Sequence, residues 1–189
     1  MRVSREKAAE NRERIIAVAS TLLREKGFDG IGVADIMKAA ELTHGGFYGH
    51  FESKDDLAAQ ACDAALAKSA ARWTEVRDSA GDDAFAAMIA HYLSPRQYDS
   101  SGRGCALVAL GAEAPRQAKS VRAVFRDGLM RLVDVLMGAI PGTKAARRRK
   151  ALAVMAQLVG AGVLARAVND GALAEEILEA TKRDLLARS

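Results

Sequence analysis

Cysteine is nearly absent from this chain of 189 residues: Cys62 and Cys105 stand far apart, with neither CxxC spacing nor clustered histidines around them. That excludes a disulfide framework and a structural zinc site, and implies two free thiols. No run of eighteen apolar residues occurs, and the N-terminus opens on Arg2, Arg5, Glu6 and Lys7, where a signal peptide would carry its apolar core. Secretion and membrane insertion are therefore not expected, and a cytoplasmic protein is. Only three histidines are present. Among them no Ser-His-Asp set, no paired Glu-x-x-His motif and no phosphate-cradling loop can be assembled, so an enzyme is not expected and no cofactor is implied. Long alternations of apolar and polar residues are missing too, which argues against β-strands.

What remains is a hydrophobic content of 50% with 28% charged residues, enough for one sizeable core or a small head on a larger body. The net charge of +4 and a pI near 9.2 allow nucleic acid as a partner without establishing it. Residues 1–56 hold nine Lys or Arg against ten Asp or Glu, so the excess basic charge lies later in the chain. A head that binds DNA would have to use a few well-placed groups.

Helix formers dominate throughout, and the fold is read as all-α: a helix-turn-helix head followed by a larger helical bundle. The first helix is predicted from about Ser4 to Lys26, with Ile15, Ile16, Ala19, Leu22 and Leu23 on one stripe and Gly27 ending it. After the turn-like Asp29-Gly30-Ile31-Gly32, a short amphipathic helix covers Val33 to Ala40. A tight turn at Glu41-Leu42 leads to a third helix, Thr43 to about Gly49, expected to open on a Thr43 cap. It is too short and glycine-rich to stand alone, so Phe47 and Phe51 must anchor it. Ser53 begins a long helix to about Ser79. Further helices are expected near Asp83–Leu93, Cys105–Ala114, Gln117–Gly138, Lys144–Val168 and Leu173–Ala187, with Ser94 through Gly104 as a loop and candidate lid.

Two short helices joined by a tight turn and backed by longer ones form a helix-turn-helix, whose second short helix reads the major groove. Thr43 and Tyr48 offer hydroxyls, His44 and His50 ring nitrogens, and Gly45 and Gly46 permit close backbone approach. Lys54 lies near amide donors at the start of the following helix and is a candidate phosphate clamp. Each has a plainer reading in isolation, and it is their order behind a suitable helix pair that carries the argument.

The segment from Leu22 to Leu57, LLREKGFDGIGVADIMKAAELTHGGFYGHFESKDDL, closely resembles the DNA-binding domain of the TetR family of bacterial transcriptional regulators. Gly27-Phe28, the Ile36-Met37-Lys38-Ala39-Ala40 helix, Phe47-Tyr48, His50-Phe51 and Ser53-Lys54 all occur in the family's order and spacing. The resemblance implies that Thr43, His44, Gly45, Tyr48 and His50 face DNA and that Lys54 holds a phosphate. Two positions depart from the pattern. Gly32 replaces the usual hydroxyl at the start of the second helix and leaves only a backbone amide for a phosphate. Glu41 replaces the usual turn glycine, at a cost of about 1 kcal/mol if its φ is positive.

The resemblance further implies a homodimer through the last two helices, a small-molecule ligand in the body and release of a double-stranded DNA operator, with repression the family's commoner mode. Domain limits follow at 1–52 for the head and 53–189 for the ligand-binding and dimerisation body. Ala153, Ala156, Gly160 and Gly162 independently suggest close helix approach, since glycine inside a helix costs about 1 kcal/mol relative to Ala. Candidate ligand-lining residues are Trp73, Phe85, Met88, His91, Tyr92, Cys105 and Phe125. Cys105 begins a helix beside Arg103, which predicts a lowered thiol pKa and a possible response to electrophiles or oxidants. The run Arg147-Arg148-Arg149-Lys150 reads as a solvated helix face. The competing functions are an enzyme on a helical bundle and a head that binds a protein partner in place of DNA.

Overall fold

The computed structural model describes residues 5–94, 102 and 104–187, and among them every regular element is helical. Ser4, Arg103 and most of the loop read as a lid lie outside the described residues. The first helix, α1 (Arg5–Lys26), carries Glu6 in its first turn and Arg24 and Lys26 in its last, matching the helix dipole at both ends. Ile15, Ala19 and Leu23 form its buried stripe, and Gly27 stops it with φ +77. Helix α2 (Val33–Ala39) buries Ile36 and Met37.

The segment expected as a third α-helix is a 3₁₀ helix, His44–Gly49, with Phe47 as its single buried residue. Thr43 stands at its start in an extended conformation, but its side chain makes no capping bond. Only the backbone closes the turn there, with Gly46 N donating to Thr43 O at 3.0 Å. Three glycines in six residues leave too little side chain to stabilise α-helical geometry.

The long helix α3 (Lys54–Ala80) is capped as its sequence predicts: Ser53 Oγ accepts from Asp56 N at 3.1 Å, and Asp56 Oδ2 accepts from Glu52 N at 3.2 Å. It runs out of the head into the body, where α4 (Ala84–Tyr92), α5 (Ala106–Leu110), α6 (Lys119–Met137), α7 (Lys144–Ala167) and α8 (Gly171–Ala187) complete the bundle. Between α3 and α6 the packing is tightest at Gly128, where a Cβ would collide with the Leu66 side chain. One continuous apolar core links Ile15 in the head to Leu185 in the last helix.

The helix expected over Cys105–Ala114 is shorter, ending at Leu110. A separate 3₁₀ turn covers Ala114–Arg116, with Pro115 near its start. Glu113, between the two, is committed elsewhere, as described below. Helix α7 has the length and apolarity of a membrane span, with mean hydropathy 1.3 over its most apolar window. Its buried side, including Val154, Met155 and Leu158, packs within the bundle.

Candidate nucleic-acid interface and ligand cavity

The head presents its polar groups by burying two rings. Phe47 is fully buried and Phe51 nearly so, 5.6 Å apart between ring centroids, with the Arg12 guanidinium 5.1 Å from the Phe51 ring. Anchored this way, the 3₁₀ segment turns Thr43, His44, Gly45 and Tyr48 outward, with Gly46 and His50 half-buried. Tyr48 is 70% exposed, the most exposed large apolar side chain in the described residues, and packs edge-on against Phe47 at 5.2 Å and His44 at 6.5 Å. A phenol held open by neighbouring rings is oriented without being hidden.

Two turns set the pose of this segment. Glu41 adopts φ 57, in the left-handed region where a non-glycine residue is strained, as its position between the two short helices predicts. Gly32 is the cap of α2; its amide donates to Asp35 Oδ2 at 3.2 Å, and with no side chain it offers only that backbone group.

Lys54 has a partner inside the protein: its Nζ donates to Phe28 O at 2.6 Å. An ammonium carries three donors, so two remain for a phosphate. The amide of the same residue, Phe28 N, donates to Glu113 Oε2 at 2.9 Å. Glu113 belongs to the body, 85 residues away, and its carboxylate lies 2.8 Å from where a Cβ on Gly27 would sit. The turn after α1 is thus clamped by Lys54 on one side and by the body on the other, with the Phe28 ring 6.5 Å from that of Phe125 on α6.

The seven residues expected to line one pocket do not converge on one. Trp73, His91, Tyr92 and Cys105 share a cavity of about 470 Å³ between α1, α3 and the end of α4. Phe125 instead lines an apolar groove of about 630 Å³ between α6 and α7, and Phe85 borders a smaller hollow, its ring 5.2 Å from Lys150 Nζ. Met88 is fully buried. Sequence reasoning missed Ser20, Thr21 and Arg24 of α1 and Lys68 and Arg72 of α3 in the cavity wall, because none belongs to a local pattern.

Both cysteines are free thiols, as expected, but Cys105 differs from expectation in its ionisation. Cys105 is buried, and burial pushes its pKa above the ordinary value, although a hydrogen bond with Tyr92 and the backbone amides of Leu107 and Val108 pull the other way. Desolvation of the thiolate outweighs the helix N-terminus, so the predicted lowering does not hold. Burial likewise pushes Cys62 up to about 12. His91, by contrast, is held below the usual value by burial and then by Arg72.

A short helix, a strained tight turn and an outward-facing second short segment, seated on α1 and α3, define a helix-turn-helix DNA-binding protein. The family model for bacterial regulatory proteins of the tetR family matches residues 15–61. That segment is thus similar to the DNA-binding region of TetR-family regulators, which supports a DNA-binding transcriptional regulator. The chain is 27% identical over 134 residues to the transcriptional repressor NemR of Escherichia coli, covering 69% of this chain and 67% of that protein. A regulator named AcrR, from Shigella flexneri, is 38% identical over 56 residues, covering 30% of this chain and 26% of that protein. Among solved structures, a TetR regulator from Chloroflexus aurantiacus matches with TM-score 0.79 at 27% identity, covering 96% of this chain and 95% of that one.

Proposed function

We propose that this chain is a cytoplasmic repressor that holds a palindromic DNA operator as a homodimer and lets go when a small molecule enters its body. Residues 1–52 are then the DNA-binding domain and 53–189 the ligand-binding and dimerisation domain. The observation that carries the reading is the outward face of the 3₁₀ segment over buried Phe47. In this reading Thr43, His44, Gly45, Gly46, Tyr48 and His50 meet the groove and backbone, Lys54 meets a phosphate, and the Gly32 amide does so by exchanging its bond to Asp35 Oδ2 for one to the phosphate. Repression is supported by the names of relatives: NemR, and DhaR of a Mycobacterium species over a shorter stretch, are both called transcriptional repressors.

The dimer reading is supported by α7. Leu152 and Leu164 are 39% and 55% exposed, and Ala153, Ala156 and half-buried Gly160 lie near them. A Cβ at Gly160 would meet nothing within 4 Å, so nothing in this subunit calls for glycine there. Close approach of a second subunit's helix along this face and the neighbouring α6–α7 groove accounts for it. Two heads one DNA turn apart, about 34 to 36 Å, would then read the two half-sites.

Release requires the ligand to favour the DNA-free arrangement by about 5.5 kcal/mol to move a 1:99 population to 99:1. Glu113, which follows α5, ties the body to the head by way of Phe28 N, and the cavity itself meets the head through Ser20, Thr21 and Arg24 of α1. A second reading, in which Cys105 itself meets electrophiles or oxidants, is favoured by its place on the cavity wall. Operator release by such reagents that persists in Cys105→Ala removes that second reading.

The test is selection of sites from random DNA by the full chain, followed by gel shift and sedimentation. A palindromic site bound by two subunits is expected, with Tyr48→Ala weakening binding and Lys54→Ala lowering the slope of affinity against salt by about one. Failure to select any sequence, with the head binding a protein instead, would remove the reading.

A further inference from the structure

We propose that the cavity between α1, α3 and the end of α4 takes an anionic ligand, an oxyanion such as a carboxylate joined to a flat apolar group, with Arg24, Lys68 and Arg72 as its cationic wall. The proposal rests on the reading that a small molecule enters the body, and it specifies the chemistry of that molecule.

Charge is the first ground. Arg24, Lys68, Arg72 and the titratable His91 all line the cavity, and none of the described residues in its wall is acidic. Arg24 is half-buried, and burial holds its pKa below the ordinary value, the sign of a cation short of water. Its hydrogen-bond acceptors are neutral: Nη1 donates to Ser20 Oγ at 2.7 Å and Nε to the carbonyl of Gly102. A guanidinium desolvated this far gains most from an anion that completes its donor fork.

The other two cations are available to the same ligand. Lys68 is exposed at the cavity edge, without an ion pair among the described residues. Arg72 pairs with Glu75 at 3.0 Å, but both side chains are more than 60% exposed, so water screens that pair and an incoming oxyanion can replace it.

The apolar part of the ligand is set by the far wall. Trp73 and Tyr92 meet edge to face, 5.3 Å between centroids, beside the small side chains of Ala64 and Ala65. Flat apolar groups fit such a corner, and about 470 Å³ lies within the range of small-molecule sites, about 300 to 1,000 Å³.

Placement links the site to the head. Arg24 sits in the last turn of α1, three residues before Gly27 and four before Phe28, whose amide Glu113 holds. An oxyanion drawn between Arg24 and the α3 cations would pull the end of the head's first helix toward the body.

Calorimetric titration of the full chain with matched acid and amide pairs tests the proposal: 2-naphthoate with 2-naphthamide, benzoate with benzamide, and octanoate with octanamide. At least one acid is expected to bind tenfold or more tightly than its amide, and to weaken as salt rises. Lys68→Gln and Arg72→Gln change exposed side chains and should leave melting unaltered, yet each should lower acid affinity threefold or more with amide affinity unchanged. Acids that bind no better than amides, whether both bind or neither does, overturn the proposal, as does a preference that survives both substitutions. Gel shift with the selected operator is scored separately. Selective acid binding that leaves DNA bound would uphold the anionic site and remove the release reading.

Discussion

The 3₁₀ segment of the head and the α3–α6 pair of the body represent two ways of holding a helix in place. His44–Gly49 makes few side-chain contacts of its own and hangs on one fully buried ring, Phe47, so most of its surface faces outward. Where α3 meets α6 the Leu66 side chain fills the space at Gly128, leaving no room for a Cβ there. The first arrangement exposes chemistry and depends on a single buried ring within its own span; the second buries its contact and spreads its support along two long helices. A DNA reader can be small because its neighbours supply the stability it lacks. The cost is that its pose depends on those neighbours, through the strained Glu41 and the clamped Phe28.

The sharpest way to break this contrast is Phe47→Ala. Loss of a buried aromatic ring is expected to cost about 3 to 5 kcal/mol in a denaturant titration, and DNA binding should disappear under conditions where far-UV helicity is kept. If binding persists, the single-anchor account is wrong. Glu113→Ala tests the clamp. A charge-assisted hydrogen bond of this kind is worth about 1.5 to 3 kcal/mol, so the midpoint should fall by that order, less for the half-buried setting of the carboxylate. Equal loss of stability with unchanged operator affinity would make the contact structural only.

Glu41→Gly should act in the opposite direction. Relief of the left-handed backbone, worth about 1 kcal/mol, exceeds the entropy that glycine adds to the unfolded chain, so thermal stability should rise slightly. The smallest effect is electrostatic. Because His91 in the folded protein is held below the usual 6.5, the unfolded chain binds the proton more readily. Its contribution to stability is therefore complete above about pH 6.5 and declines as pH falls through the window between the unfolded and the lower folded value. His91→Gln should flatten that part of the stability profile, measured by melting between pH 5 and 8. A steeper fall in the variant would contradict the sign.

Much of the head was legible in the chain because its signals are local. The Gly27 stop, the Ser53 cap and the Ile36-Met37 pair each act within a few residues, and the helices they delimit match the predicted spans to within a residue or two. Glu41 was readable for the same reason: a turn between two short helices demands a left-handed residue whatever its side chain. Two local expectations failed through distant causes. The reader became 3₁₀ where an α-helix was expected, and the helix from Cys105 stopped at Leu110, with Glu113 drawn to the Phe28 amide. The Cys105 thiol failed similarly, since a helix terminus can be seen in sequence but burial cannot.

By itself the order of residues determined the helical class, the helix-turn-helix and the outward placement of Thr43, His44 and Tyr48, because periodicity and turn chemistry work over one or two turns of chain. Only the tertiary structure decided that Arg24 of the head would share a cavity with Arg72 and Tyr92, and that Glu113 would reach back to Phe28. Those pairings join residues tens of positions apart. Nothing short of the packed core brings them together, since the interactions that select them exist only after the helices have met.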